Sequence, residues 1–76
     1  MTILITGCNG LLGSNLTNYF SKSVYHVLGT SLSEPTINHN CVFVKGDLSD
    51  ESFVKKLISN YSPDIIINTV ALVNLE

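Results

Sequence analysis

The sequence predicts an α/β domain, a parallel sheet of order 3-2-1-4 with flanking helices. Three observations lead there. The apolar run Ile3-Leu4-Ile5 passes directly into Thr6-Gly7-Cys8-Asn9-Gly10-Leu11-Leu12-Gly13. Ile65-Ile66-Ile67 lacks polar alternation, the pattern of a strand covered on both faces. Between these runs, apolar residues recur at helical spacing in two separate stretches.

The glycine segment comes first. A buried strand turning tightly into a helix aims that helix's free N–H groups, and the positive end of its dipole, at one spot where an anion is favoured. Gly7 permits the turn, Gly10 lets a pyrophosphate approach the backbone, and Gly13 lets the helix pack on the strand. The spacing is Gly-x-x-Gly-x-x-Gly. After the loop, Leu11, Leu12, Leu16, Tyr19 and Phe20 are expected to form the apolar face of a helix ending near Ser21 or Lys22.

Val24 to Thr30 is expected as a second strand and Cys41 to Val44 as a third, separated by a surface loop from Ser31 to Asn40. Ser49 is the expected N-cap of the second helix, with Asp50 and Glu51 in its first turn. Phe53, Val54, Leu57, Ile58 and Tyr61 form its apolar stripe, and Pro63 stops it. Asp64 to Asn68 is the fourth strand. Right-handed crossovers then make the first and fourth strands neighbours, with a ligand crevice above their C-terminal ends at Gly7 and Asn68.

Composition narrows the function. The 76 residues form one domain at most, with 45% hydrophobic and 13% charged residues. A chain of this size buries only about 60% of its unfolded surface, so its stability is marginal. The net charge of −2 offers no basic patch, which argues against nucleic acid and anionic membranes as partners. With no basic leader and no long apolar segment, the chain is expected to be cytoplasmic. Cys8 and Cys41 with two His do not make a metal set, and free thiols are expected. Cys8, near a helix N-terminus, is either a reactive thiol or a space-filling residue. A phosphate-binding Gly-Lys-Ser/Thr element is absent, which excludes a P-loop hydrolase.

Three blocks together resemble the N-terminal part of the extended short-chain dehydrogenase/reductases. They are Ile3 to Gly13, then Gly46-Asp47-Leu48-Ser49-Asp50, then Ser62-Pro63-Asp64-Ile65-Ile66-Ile67-Asn68-Thr69-Val70-Ala71. Within that family the chain looks most like the dTDP-4-dehydrorhamnose reductases and related sugar-nucleotide enzymes. The resemblance implies a partial Rossmann fold over residues 1–76, truncated before the rest of the dinucleotide-binding domain. It implies a cofactor site of Gly7, Asn9, Gly10, Leu11, Leu12 and Gly13 for the pyrophosphate, Asp47 for the adenine amino group and Leu48 beside the ring. Thr69, Val70 and Ala71 would line the ribose and pyrophosphate side, with Asn68 bracing the strand end. Val70 stands where relatives commonly place Ala. The residue-level alternative for Asp47 is a turn carboxylate after Gly46.

No acid follows the second strand in Gly29-Thr30-Ser31-Leu32, and the hydroxyls of Thr30 and Ser31 favour a 2′-phosphate, so the expected cofactor is NADP with NAD second. The resemblance implies a nucleotide-sugar substrate and hydride transfer to a 4-keto sugar in the complete enzyme. Its Tyr-x-x-x-Lys pair is not in this chain: Tyr25 and Tyr61 have no Lys four residues on, and Tyr19 meets Ser23 there. The chain alone is therefore expected to be inactive. Two other readings stay open: an epimerase or dehydratase of the same superfamily, and a non-catalytic nucleotide-binding or regulatory module. An unpaired Ile65-Ile66-Ile67 edge would favour homo-oligomers.

Overall fold

In the computed structural model, residues 1–34 and 41–70 are described. The elements are β1 (Thr2–Thr6), α1 (Leu11–Ser21), β2 (His26–Ser31), β3 (Val42–Lys45), α2 (Glu51–Tyr61) and β4 (Ile65–Asn68). The sheet order is β3-β2-β1-β4 and every pairing is parallel. This is the Rossmann-like 3-2-1-4 arrangement.

The register explains the two sides of the core. Ile3 and Ile5 of β1, with Val27 and Cys8, are buried beneath Leu16 and Phe20 of α1. The intervening Leu4, with its ladder partner Leu28, packs against Leu57 and Phe53 of α2. Alternate residues of one strand thus serve opposite helices, which is why the buried positions Ile3, Leu4 and Ile5 are all apolar.

The first helix presents the expected face only in part: Leu16 and Phe20 pack on the core, and the other three residues do not. Leu11 is 86% exposed and Leu12 is also exposed, as is Tyr19, whereas Gly13 and Thr17 are buried. Small residues are needed where α1 comes closest to the sheet. Thr17 can be buried because its hydroxyl donates to the Gly13 carbonyl at 2.7 Å.

The second strand starts two residues later than expected. Val24 is 92% exposed and lies with Ser23 and Tyr25 in the turn after α1. There Tyr25 N–H donates to Ser23 Oγ, and the Tyr25 ring meets Phe20 edge-on at 6.0 Å. β-branched character at Val24 did not outweigh this local bonding.

Asp50, not Ser49, caps α2. Its carboxylate accepts from the amides of Ser52 and Phe53, while Ser49 is turned toward Asp47. The helix ends with Ser62 in the left-handed region at φ 45°, just before Pro63. In β4, Ile67 packs into the core but Ile65 and Ile66 are exposed, so this strand is an edge rather than a strand covered on both faces.

Candidate functional site

The C-terminal ends of β1, β2 and β4 meet at the glycine turn, and the sequence there explains how they are held. Thr6 pairs with Thr30 on one side and Asn68 on the other. Thr6 Oγ1 donates to Asn68 Oδ1 at 2.6 Å, and the same oxygen accepts from Val70 N–H at 3.0 Å. Asn68 thus braces the strand end through its side chain.

Gly7 has φ 71°, which a side chain disfavours, and a Cβ there would come within 2.7 Å of Thr69 Oγ1. Thr69 itself is engaged. Its hydroxyl lies 2.6 Å from the Thr6 carbonyl and 3.2 Å from that of Gly7, tying β4 to the turn rather than lining the cleft beside it. A Cβ at Gly13 would overlap the Gly7 carbonyl. Gly10 differs: a Cβ there would meet only the Gly7 oxygen, at an ordinary 3.4 Å.

Gly10 is the N-cap of α1 and supplies no side-chain cap, and the first turn carries no acid. Among the described residues, the amides of Leu11, Leu12 and Gly13 have no hydrogen-bond acceptor. The helix start therefore offers three backbone donors at the positive end of the dipole. These donors and the open space at Gly10 fit the pyrophosphate of a dinucleotide.

Beside the turn lies a cleft of ≈ 500 Å³. Its walls come from Gly7, from Thr30, Ser31 and Leu32 at the end of β2, from Gly46 to Ser49 after β3, and from Asn68 and Val70 at the end of β4. Of the residues expected from sequence, it brings together Gly7, Thr30, Ser31, Asp47, Leu48 and Val70. Asn9 and Gly10 belong to the neighbouring glycine turn, Leu11, Leu12 and Gly13 to the first turn of α1, and Ala71 lies outside the described residues. The cleft also takes in Leu32, Gly46 and Ser49, which sequence reasoning did not single out. Position directly after a strand's C-terminal end was the available signal for Leu32 and Gly46.

Thr30 forms part of the floor yet is 0% exposed, and its Oγ1 has no hydrogen-bond partner. Direct donation from Thr30 to a phosphate is not open in this packing, which narrows the expected hydroxyl pair to Ser31. Asp47 combines both readings of its side chain. Oδ1 accepts from Ser49 N–H at 2.9 Å and Ser49 Oγ at 2.8 Å, closing a turn, while Oδ2 has no partner among the described residues. Those two bonds hold the Asp47 carboxyl below the usual carboxylate range.

Cys8 is no activated nucleophile. It is buried against Gly29, where a Cβ would approach its Sγ to 3.0 Å, and burial raises its thiol above the ordinary value of 9.0, with Cys41 nearby adding to the rise. Desolvation outweighs the opposing backbone hydrogen bond here. Among the described residues no group of His, Cys, Asp and Glu could hold a metal, and no helix is long and apolar enough to cross a membrane.

A parallel sheet of order 3-2-1-4 with a glycine turn and a cleft at its C-terminal edge defines a Rossmann-like α/β protein. The chain matches the NAD dependent epimerase/dehydratase family over residues 3–75, and it belongs to that family.

Among curated relatives, methionine adenosyltransferase 2 subunit beta of Xenopus laevis is 38% identical over 68 residues, which is 90% of this chain and 19% of that protein. The probable low-salt glycan biosynthesis reductase Agl14 of Haloferax volcanii is 32% identical over 77 residues, covering 100% of this chain and 25% of that protein. The chain thus spans 19% to 25% of the length of these relatives. Among solved structures, the Bordetella bronchiseptica enzyme WbmH in complex with NAD+ superposes with a TM-score of 0.81 at 26% identity, over 95% of this chain and 26% of that one.

Proposed function

We propose that residues 1–76 are the N-terminal, dinucleotide-binding part of a longer sugar-nucleotide oxidoreductase of the kind represented by the dTDP-4-dehydrorhamnose reductases. The carrying observation is the set of unpartnered amides at Leu11, Leu12 and Gly13 beside a cleft flanked by Asp47. Similarity to a reductase of glycan biosynthesis supports the reductase reading, and the NAD+ bound to WbmH supports a nicotinamide dinucleotide as ligand.

In this reading the Gly10 to Gly13 backbone holds the pyrophosphate, Asp47 Oδ2 accepts from the adenine amino group, and Leu48 packs on the ring. Ser31 faces the 2′ position and favours NADP over NAD. Val70 borders the ribose side, and Thr69 fixes the turn from behind. When bound, the cofactor supplies hydride to a 4-keto sugar held by parts of the protein outside these residues. The chain alone, without a Tyr-x-x-x-Lys pair, does not turn over substrate.

Two other readings have support. The family description covers epimerases and dehydratases equally. The similarity to a subunit of an adenosyltransferase supports a nucleotide-binding regulatory module. Assays of the full-length protein, with NADPH and a dTDP-4-keto-6-deoxy sugar and separately with NAD and a dTDP-hexose, separate them. NADPH oxidation matched by 4-hydroxy sugar supports the reductase. Tight dinucleotide binding without turnover of any sugar nucleotide supports the module, and epimerised or dehydrated sugar without net NADPH loss supports the third reading.

A further inference from the structure

The segment after β2, Ser31-Leu32-Ser33-Glu34, holds hydroxyls and a carboxylate but no cation to meet a 2′-phosphate. The sheet brings one to it from another strand. Ser31 pairs with Lys45 in the parallel β2/β3 ladder, and Gly46 N–H donates to the Ser31 carbonyl at 3.0 Å. Paired residues of a ladder send their side chains to the same face, about 4.8 Å apart along the hydrogen-bonding direction. The four-carbon stem of Lys45 is long enough to carry its ammonium to the Ser31 hydroxyl, at the edge of the cleft that Ser31 lines.

Lys45 is exposed, and the one ion pair among the described residues joins Lys55 to Glu51, leaving Lys45 without a carboxylate within bonding distance there. The other three basic residues are Lys22 at the far end of α1, and Lys55 and Lys56 on α2. Asn9 holds the receiving segment in place. Its Nδ2 donates to the Ser33 carbonyl at 2.7 Å and lies 3.3 Å from Ser33 Oγ, which ties the glycine turn to the segment after β2.

We infer that Lys45 sets cofactor choice, its ammonium taking the 2′-phosphate of NADP beside Ser31 while Asn9 positions the segment. The inference rests on the NADP reading proposed above. Asp47 lines the cleft and Glu34 follows Ser31 by three residues, so without Lys45 the charges nearest a 2′-phosphate are negative and NAD becomes the better ligand.

The test is calorimetric titration of the full-length protein, and of its Lys45→Ala and Lys45→Arg variants, with NADP and with NAD. Loss of one charge-assisted hydrogen bond weakens NADP about tenfold in Lys45→Ala, and leaves NAD within about twofold. Lys45→Arg keeps most of the NADP affinity. Unchanged NADP binding in Lys45→Ala, or an equal loss for both cofactors, overturns the role of Lys45 while the dinucleotide site stands. A parent protein that binds neither cofactor overturns that site, and this inference with it.

Discussion

The Gly7 carbonyl fills the space that a Cβ on Gly13 would need, so the turn and the first turn of α1 are packed backbone on backbone. Gly13→Ala is therefore a folding lesion before it is a binding one. Overpacking of this kind costs about 1–3 kcal/mol, and urea denaturation of the variant should show it. Gly10→Ala, whose Cβ has 3.4 Å to the Gly7 oxygen, should stay within about 0.5 kcal/mol of the parent.

Asp47 separates turn from ligand by atom. Asp47→Asn keeps an acceptor for Ser49 but replaces the free oxygen by a donor facing the adenine amino group. The expected result is dinucleotide affinity about tenfold weaker with an unchanged unfolding midpoint, read by titration and by circular dichroism.

Cys8 carries a pH dependence. Its folded-state pKa is raised above 9.0 by burial, so the folded protein holds the proton longer than the unfolded chain does. The contribution is complete below the unfolded value and fades as pH rises through the folded one. Denaturation midpoints should fall from pH 8 to pH 10 about as expected for a buried thiol, and Cys8→Ala should flatten that fall. The thiol should also resist alkylation at pH 8 until urea unfolds the chain.

Asp50 accepts the two amides that open α2, at 3.0 Å from Ser52 and 3.4 Å from Phe53. Asp50→Ala should cost about 1 kcal/mol in a denaturation curve. Ser49→Ala should cost less, since its side chain serves the Asp47 turn.

The sheet order was legible because strand-turn-helix punctuation and crossover handedness leave few alternatives, and Gly7, Pro63 and the β-branched runs mark it clearly. Side-chain placement at α1 was legible only in part, for Leu16 and Phe20. Leu11 and Leu12 fit a helical apolar stripe, yet the helix approaches the sheet through Gly13 and Thr17, and only the backbone packing reveals which face is closest. Ser49 and Asp50 are both good caps on propensity, and the choice falls to the turn that Ser49 makes with Asp47. Lys45 could not be associated with Ser31 from spacing, because 14 positions separate them and only the β2/β3 register joins them.

The central claim is that the amides at the start of α1 receive a dinucleotide pyrophosphate. Amide-resolved NMR of the isotopically labelled protein during titration with NADP addresses it directly. The account predicts saturable shifts largest at Leu11, Leu12 and Gly13, reproduced at those amides by NAD. Saturable binding that leaves these three amides unmoved, or no binding by either cofactor, would contradict it.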